Sequence, residues 1–80
     1  MEHSTQVLVK LYKEYTLGKI NSNTLAETFA KDLISKNENA RDYESVMISL
    51  IKIGTEEYNH VILNIIQTYN RLRKYENNSK

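Results

Sequence analysis

The sequence predicts an all-α fold, either a small four-helix bundle or two stacked helical hairpins. Three observations predict it. The 80 residues contain no Pro and two Gly. Pro removes a backbone donor and Gly carries an entropic cost inside a helix, so their scarcity favours long helices. Apolar residues recur at spacings of three and four in four separate runs, the period of one helix face. Those runs are parted by breaks at Gly18, at Asn37 to Asn39 and at Gly54.

The first helix is expected over about residues 4–17, with Leu8, Leu11, Tyr12 and Tyr15 on one face and Val7 and Val9 flanking it. Gly18 stands where a left-handed C-terminal cap is wanted. The second is expected over about 22–36. Asn21 is a good N-cap, and Ile20 and Leu25 occupy the two positions of a hydrophobic staple. Thr24 with Glu27 offers a competing capping box. Leu25, Ala26, Phe29, Ala30 and Leu33 form the buried face, and the two Ala admit a close neighbour.

The third helix is expected over about 40–53, on Tyr43, Val46, Met47, Leu50 and Ile51. Its β-branched residues make a strand the competing reading, but the spacing of three and four favours a helix. Gly54 then suits a C-terminal cap and Thr55 an N-cap, so short a turn implying an antiparallel hairpin. The fourth helix is expected over about 56–75, on Tyr58, Ile62, Ile65, Tyr69 and Leu72, with Arg71, Arg73 and Lys74 near its negative end. Leu33, Leu50, Ile62 and Ile65 are expected among the most buried residues. Residues 1–3 and 77–80 are expected to be frayed ends of a single domain spanning residues 1–80.

A chain of this length buries only about 60–65% of its unfolded surface, so its core is small. There is no Cys, which removes disulfides and thiolate metal sites. No apolar run exceeds three residues, as in Val61 to Leu63, and no membrane span or membrane partner is expected. Met1 to Gln6 is polar and acidic, unlike a secretory signal, so the expected location is the cytoplasm. Eleven basic residues stand against ten acidic ones, without the basic excess that phosphate neutralisation usually brings to a dedicated DNA-binding domain.

Candidate chemistry is sparse. Glu57 and His60 have the Glu-x-x-His spacing of di-iron bundles, but those need two copies and this chain has one. No Gly-rich phosphate loop or nucleophile elbow is present. No cofactor, metal or enzymatic activity is therefore expected. The expected partner is another protein or a second copy of the chain, as a homodimer. A fourth helix of about 20 residues, roughly 30 Å, outlasts a third helix of about 14 residues, roughly 21 Å. Tyr69, Leu72 and Tyr75 would project beyond that neighbour as an apolar patch, rimmed by Arg71, Arg73 and Lys74. If the first two helices cover the stretch, it is ordinary core. Ile48 and Leu63 lie off their helices' main stripes. The six Tyr suit either an interface or the rim of a small core. By analogy of size alone, small regulators, inhibitors and adaptors of phages and plasmids are chains of this kind. The alternative partner is nucleic acid, met by Lys19, Asn21, Asn23 and Thr24 at the start of the second helix or by the basic end of the fourth.

Overall fold

The computed structural model describes residues 2–50 and 56–78, and the side chains of residues 4–50 and 60–75. Helix α1 (Glu2–Thr16) is followed by α2 (Ser22–Ser35), a 3-10 helix (Ala40–Tyr43), α3 (Glu44–Leu50) and α4 (Glu56–Asn78). Among the described residues the architecture is all-α, a small helical bundle, as the sequence predicts. Gly54 and Thr55, the turn expected between the last two helices, lie outside the described residues. So do Ile51 and the side chains of Glu57 and Tyr58.

Local chemistry sets the helix ends. Gly18 has a φ of 77°, a left-handed conformation that Gly adopts without a Cβ clash. The Lys19 N–H donates to the Glu14 carbonyl at 2.9 Å and the Gly18 N–H to that of Tyr15 at 3.0 Å, the two bonds of a Schellman cap. Asn21 begins α2 by accepting the Thr24 N–H at 2.8 Å on its side-chain oxygen. The competing capping box is not used: with Asn21 as the N-cap, Thr24 lies inside the helix, and Glu27 pairs with Lys31 at 3.0 Å. A second Schellman cap ends α2: the Glu38 N–H donates to the Leu33 carbonyl at 2.9 Å and the Asn37 N–H to that of Ile34 at 3.1 Å. Asn37 takes the left-handed position, with a φ of 57°, which Asn tolerates better than other side-chain-bearing residues.

The caps direct the packing. Ser4, near the start of α1, reaches Asp32 and Lys36 near the end of α2, so the two helices are antiparallel. α2 and α4 run parallel: Asn64 bonds Asn23 near their starts, and Arg73 bonds Asn37 near their ends. α2 is the central helix, packed on α1 and most extensively on α4. Leu25, Ala26, Phe29, Ala30 and Leu33 of α2 are all completely buried. Leu8 and Leu11, Tyr43 and Met47, and Val61, Ile62, Ile65 and Tyr69 complete the core. The Phe29 and Tyr43 rings meet edge to face, 5.7 Å between centroids at 88°, a favoured aromatic geometry. α4, with 23 residues, is about 34 Å long at 1.5 Å per residue and nearly spans the 38 Å long axis of the molecule.

Three expectations need correction. The third helical segment begins as a 3-10 turn, capped by the Asn39 side chain accepting the Arg41 N–H at 3.0 Å. That cap fixes the first residues in a tighter turn before α3 continues. Among the described residues the main neighbour of α4 is α2 rather than α3, and the completely buried Ala26 and Ala30 of α2 permit close approach. Leu33, Ile62 and Ile65 are buried as expected, whereas Leu50 is only partly buried against the core. α3 is seated instead by Met47, with Tyr43 just before it.

Candidate functional site

A group of hydrogen-bonded polar side chains gathers at one end, where α1 begins, α2 ends and the later part of α4 passes. Ser4 is completely buried there. Its hydroxyl lies 2.6 Å from Glu38 Oε2 and 3.3 Å from Asp32 Oδ2. A hydroxyl has one proton to donate, and the shorter distance assigns it to Glu38. The Lys36 ammonium bridges Asp32 at 3.1 Å and reaches the Ser4 oxygen at 3.4 Å. The Tyr43 hydroxyl donates to Glu38 Oε1 at 2.7 Å. The Tyr69 hydroxyl donates to the Glu38 main-chain carbonyl at 2.7 Å. Glu38 therefore joins α1, the 3-10 helix and α4 around the end of α2.

The two hydroxyl donors, Ser4 first and Tyr43 second, hold the Glu38 carboxyl below its usual range, and burial opposes them. Burial pushes the Tyr43 phenol up. A depressed carboxyl stabilises the fold above its ordinary pKa of 4.5, and that contribution is lost as pH falls through the lower folded value. Glu38→Gln should lower the urea midpoint at neutral pH. The gap to wild type should close as the pH drops below about 4.5. A gap unchanged down to about pH 3 would show that the charge of Glu38 contributes nothing.

The six residues expected to form an association surface differ in burial. Tyr69 is 5% exposed and belongs to the core, whereas Tyr75 is 76% exposed. Arg71 and Lys74 are exposed, and Leu72 and Arg73 are half-buried. Tyr69 cannot be the centre of an exposed patch. The Asn37 to Asn39 loop lies against it, the Glu38 carbonyl accepting its hydroxyl. Ile48, at 37%, and Leu63, at 51%, are exposed as their off-stripe positions imply. Leu63 lines an open groove with Ser22, Asn23, His60, Asn64 and Gln67.

Lys19, Asn21, Asn23 and Thr24 are all exposed, at the opposite end of α2. Two already have structural work: the Asn21 side-chain oxygen caps α2, and that of Asn23 accepts from Asn64 Nδ2 at 2.9 Å. The 14 residues of α2 set this group roughly 20 Å from the basic end of α4. The structure thus does not unite the two candidate nucleic-acid-binding groups. His60 is exposed. Among the described residues no group of His, Asp or Glu converges so as to hold a metal ion. None of their helices is long and apolar enough to cross a membrane.

Sequence reasoning missed Ser4 and Glu38. Nothing distinguishes a helix-start Ser that will be buried from one that will be solvated. The Asn-Glu-Asn break did carry a usable signal, since Asn is the residue after Gly best suited to a left-handed helix end. The chain matches no protein-family model, no curated protein and no solved structure.

Proposed function

We propose that the chain is a non-enzymatic protein–protein interaction module, a small cytoplasmic regulator, inhibitor or adaptor. It docks through the outer C-terminal face of α4, on another protein or on a second copy of itself. The observation that supports this reading is Tyr75, 76% exposed, one turn beyond exposed Arg71, adjacent to exposed Lys74, and one turn from half-buried Leu72. A large aromatic with a polar tip suits an interface anchor, and flanking cations suit its rim. The apolar body of Tyr75 serves no core there, so its removal should spare the fold.

Sedimentation equilibrium tests the homodimer. Wild type should associate with rising concentration. Tyr75→Ala should weaken association about tenfold or more, as truncating an anchor does, with an unchanged circular dichroism spectrum. A variant that associates like wild type removes this face. A wild type that stays monomeric at about millimolar concentration removes the homodimer. A mobility shift on DNA that fades steeply with salt would transfer the function to nucleic acid, met by Lys19, Asn21, Asn23 and Thr24 or by the basic end of α4.

A further inference from the structure

We propose that the recess between the ends of α2 and α4 is a carboxylate-binding site, anchored by Arg73, which takes an Asp or Glu side chain of the partner protein. The proposal rests on the interaction-module reading and adds the chemistry of the partner. The recess encloses about 330 Å³, is open to solvent, and is lined by Asn37, Glu38, Asn39, Tyr69 and Arg73.

Arg73 is held in place before any ligand arrives. Its Nη1 donates to the Tyr69 hydroxyl oxygen at 3.2 Å and its Nη2 to Asn37 Oδ1 at 3.3 Å. Its guanidinium carbon lies 6.0 Å from the Tyr69 ring centroid. Neither ion pair among the described residues involves it. A guanidinium carries five N–H donors, so two bonds leave three to spare.

The neighbours offer donors as well. Asn37 accepts from Arg73 through its side-chain oxygen, which makes the NH2 its free end. Asn39 accepts the Arg41 N–H through its oxygen, so its NH2 is free too. The Tyr69 hydroxyl gives its proton to the Glu38 carbonyl and takes one from Arg73. Both Glu38 carboxylate oxygens already receive a hydroxyl, from Ser4 and from Tyr43. The two Glu38 carboxylate oxygens, the Glu38 carbonyl and the Asn37 and Asn39 side-chain oxygens each already accept a bond within the protein, while Arg73 and the two amides keep N–H groups to spare. Its complement is a ligand that only accepts, which describes a carboxylate.

Charge narrows the choice further. The Glu38 carboxylate stays ionised beside the recess, so a dianionic phosphate meets repulsion that a monoanionic carboxylate meets less. Exposed Arg71 and Lys74 add attraction at longer range. A fixed guanidinium also saves the ordering cost that a free Arg side chain would incur on binding.

The test uses the full chain labelled with nitrogen-15. The Arg73 Nε–H and the side-chain NH2 signals of Asn37 and Asn39 are followed during three titrations. The probes are a Glu-containing peptide with blocked ends, its Gln counterpart, and inorganic phosphate. The Glu peptide should give saturable shifts of these signals and the Gln peptide none. Phosphate should bind more weakly than the Glu peptide. Arg73→Gln should weaken the Glu peptide about tenfold or more, and Arg73→Lys should lose part of that. Equal shifts with the Gln peptide, or unchanged binding in Arg73→Gln, would overturn the proposal. Phosphate binding as tightly as the peptide would also overturn it, in favour of a phosphate site. If Arg73→Gln does not fold, the wild-type titrations and Arg73→Lys decide. Failure here, with Tyr75→Ala still weakening association, removes the carboxylate site and leaves the interaction module standing.

Discussion

Ile65→Ala should lower the melting temperature by about 10–30 °C, from a loss of roughly 2–5 kcal/mol. Ile65 is completely buried on the inner face of α4, within the core that includes Leu25, Phe29 and Leu33 of α2. Truncation removes buried apolar area and leaves a void that a close-packed interior only partly refills. A domain of 80 residues has about 4–12 kcal/mol to lose in total. One side chain is thus a large fraction of the whole. Differential scanning calorimetry decides the matter: a melt within about 3 °C of wild type would mean that the inner face of α4 is misassigned.

Tyr69→Lys should leave the chain largely unfolded, while Tyr75→Lys, six residues on, should melt like wild type. The two tyrosines are 5% and 76% exposed. A Lys at Tyr69 would put an ammonium into the core beside the Arg73 guanidinium, without the carbonyl and ring contacts that Tyr69 makes. An unpaired buried charge is among the most costly changes a small core can suffer. Tyr69→Phe separates the hydroxyl from the ring. It keeps the packing but leaves the Glu38 carbonyl without its donor, at about 1–3 kcal/mol. Equal circular dichroism melts for Tyr69→Lys and Tyr75→Lys would contradict the burial of Tyr69.

The pair also shows what the sequence can convey. Tyr69 and Tyr75 belong to the same helix and to the same run of aromatics and cations. Periodicity alone places both near the apolar seam. Their difference comes from a loop more than thirty residues earlier, where the Glu38 carbonyl lies opposite the Tyr69 hydroxyl, a separation of 31 residues. Signals within one turn were legible: the Asn21 cap, the Gly18 reversal, and the Leu25–Phe29–Leu33 face. Ala26 and Ala30 announced that a helix comes close to α2, but not which helix. Chain order suggested that α3 would be the main neighbour of α4, since a short turn favours a hairpin. Among the described residues α2 packs on α4 more extensively, through contacts between distant parts of the chain that no local window contains. The candidate site was half legible for the same reason. Arg71 and Lys74 lie off the seam by period, but the exposure of Tyr75 is not read from it, and the fixed position of Arg73 depends on Tyr69 and Asn37 from separate elements.

The parallel pairing of α2 with α4 also constrains how the chain is made. Asn23 meets Asn64 across 41 residues. During synthesis the α1–α2 hairpin can assemble as soon as both helices have left the ribosome. The part of the α2 face that shares the core with Val61, Ile62 and Ile65 must then wait for α4, which is made after it. Until that moment the nascent hairpin carries bare apolar surface, the species most open to chaperones and to aggregation. Closing so distant a contact is also slower than closing a hairpin. A chain stopped before α4 should therefore be a client for degradation rather than a smaller working version of the protein.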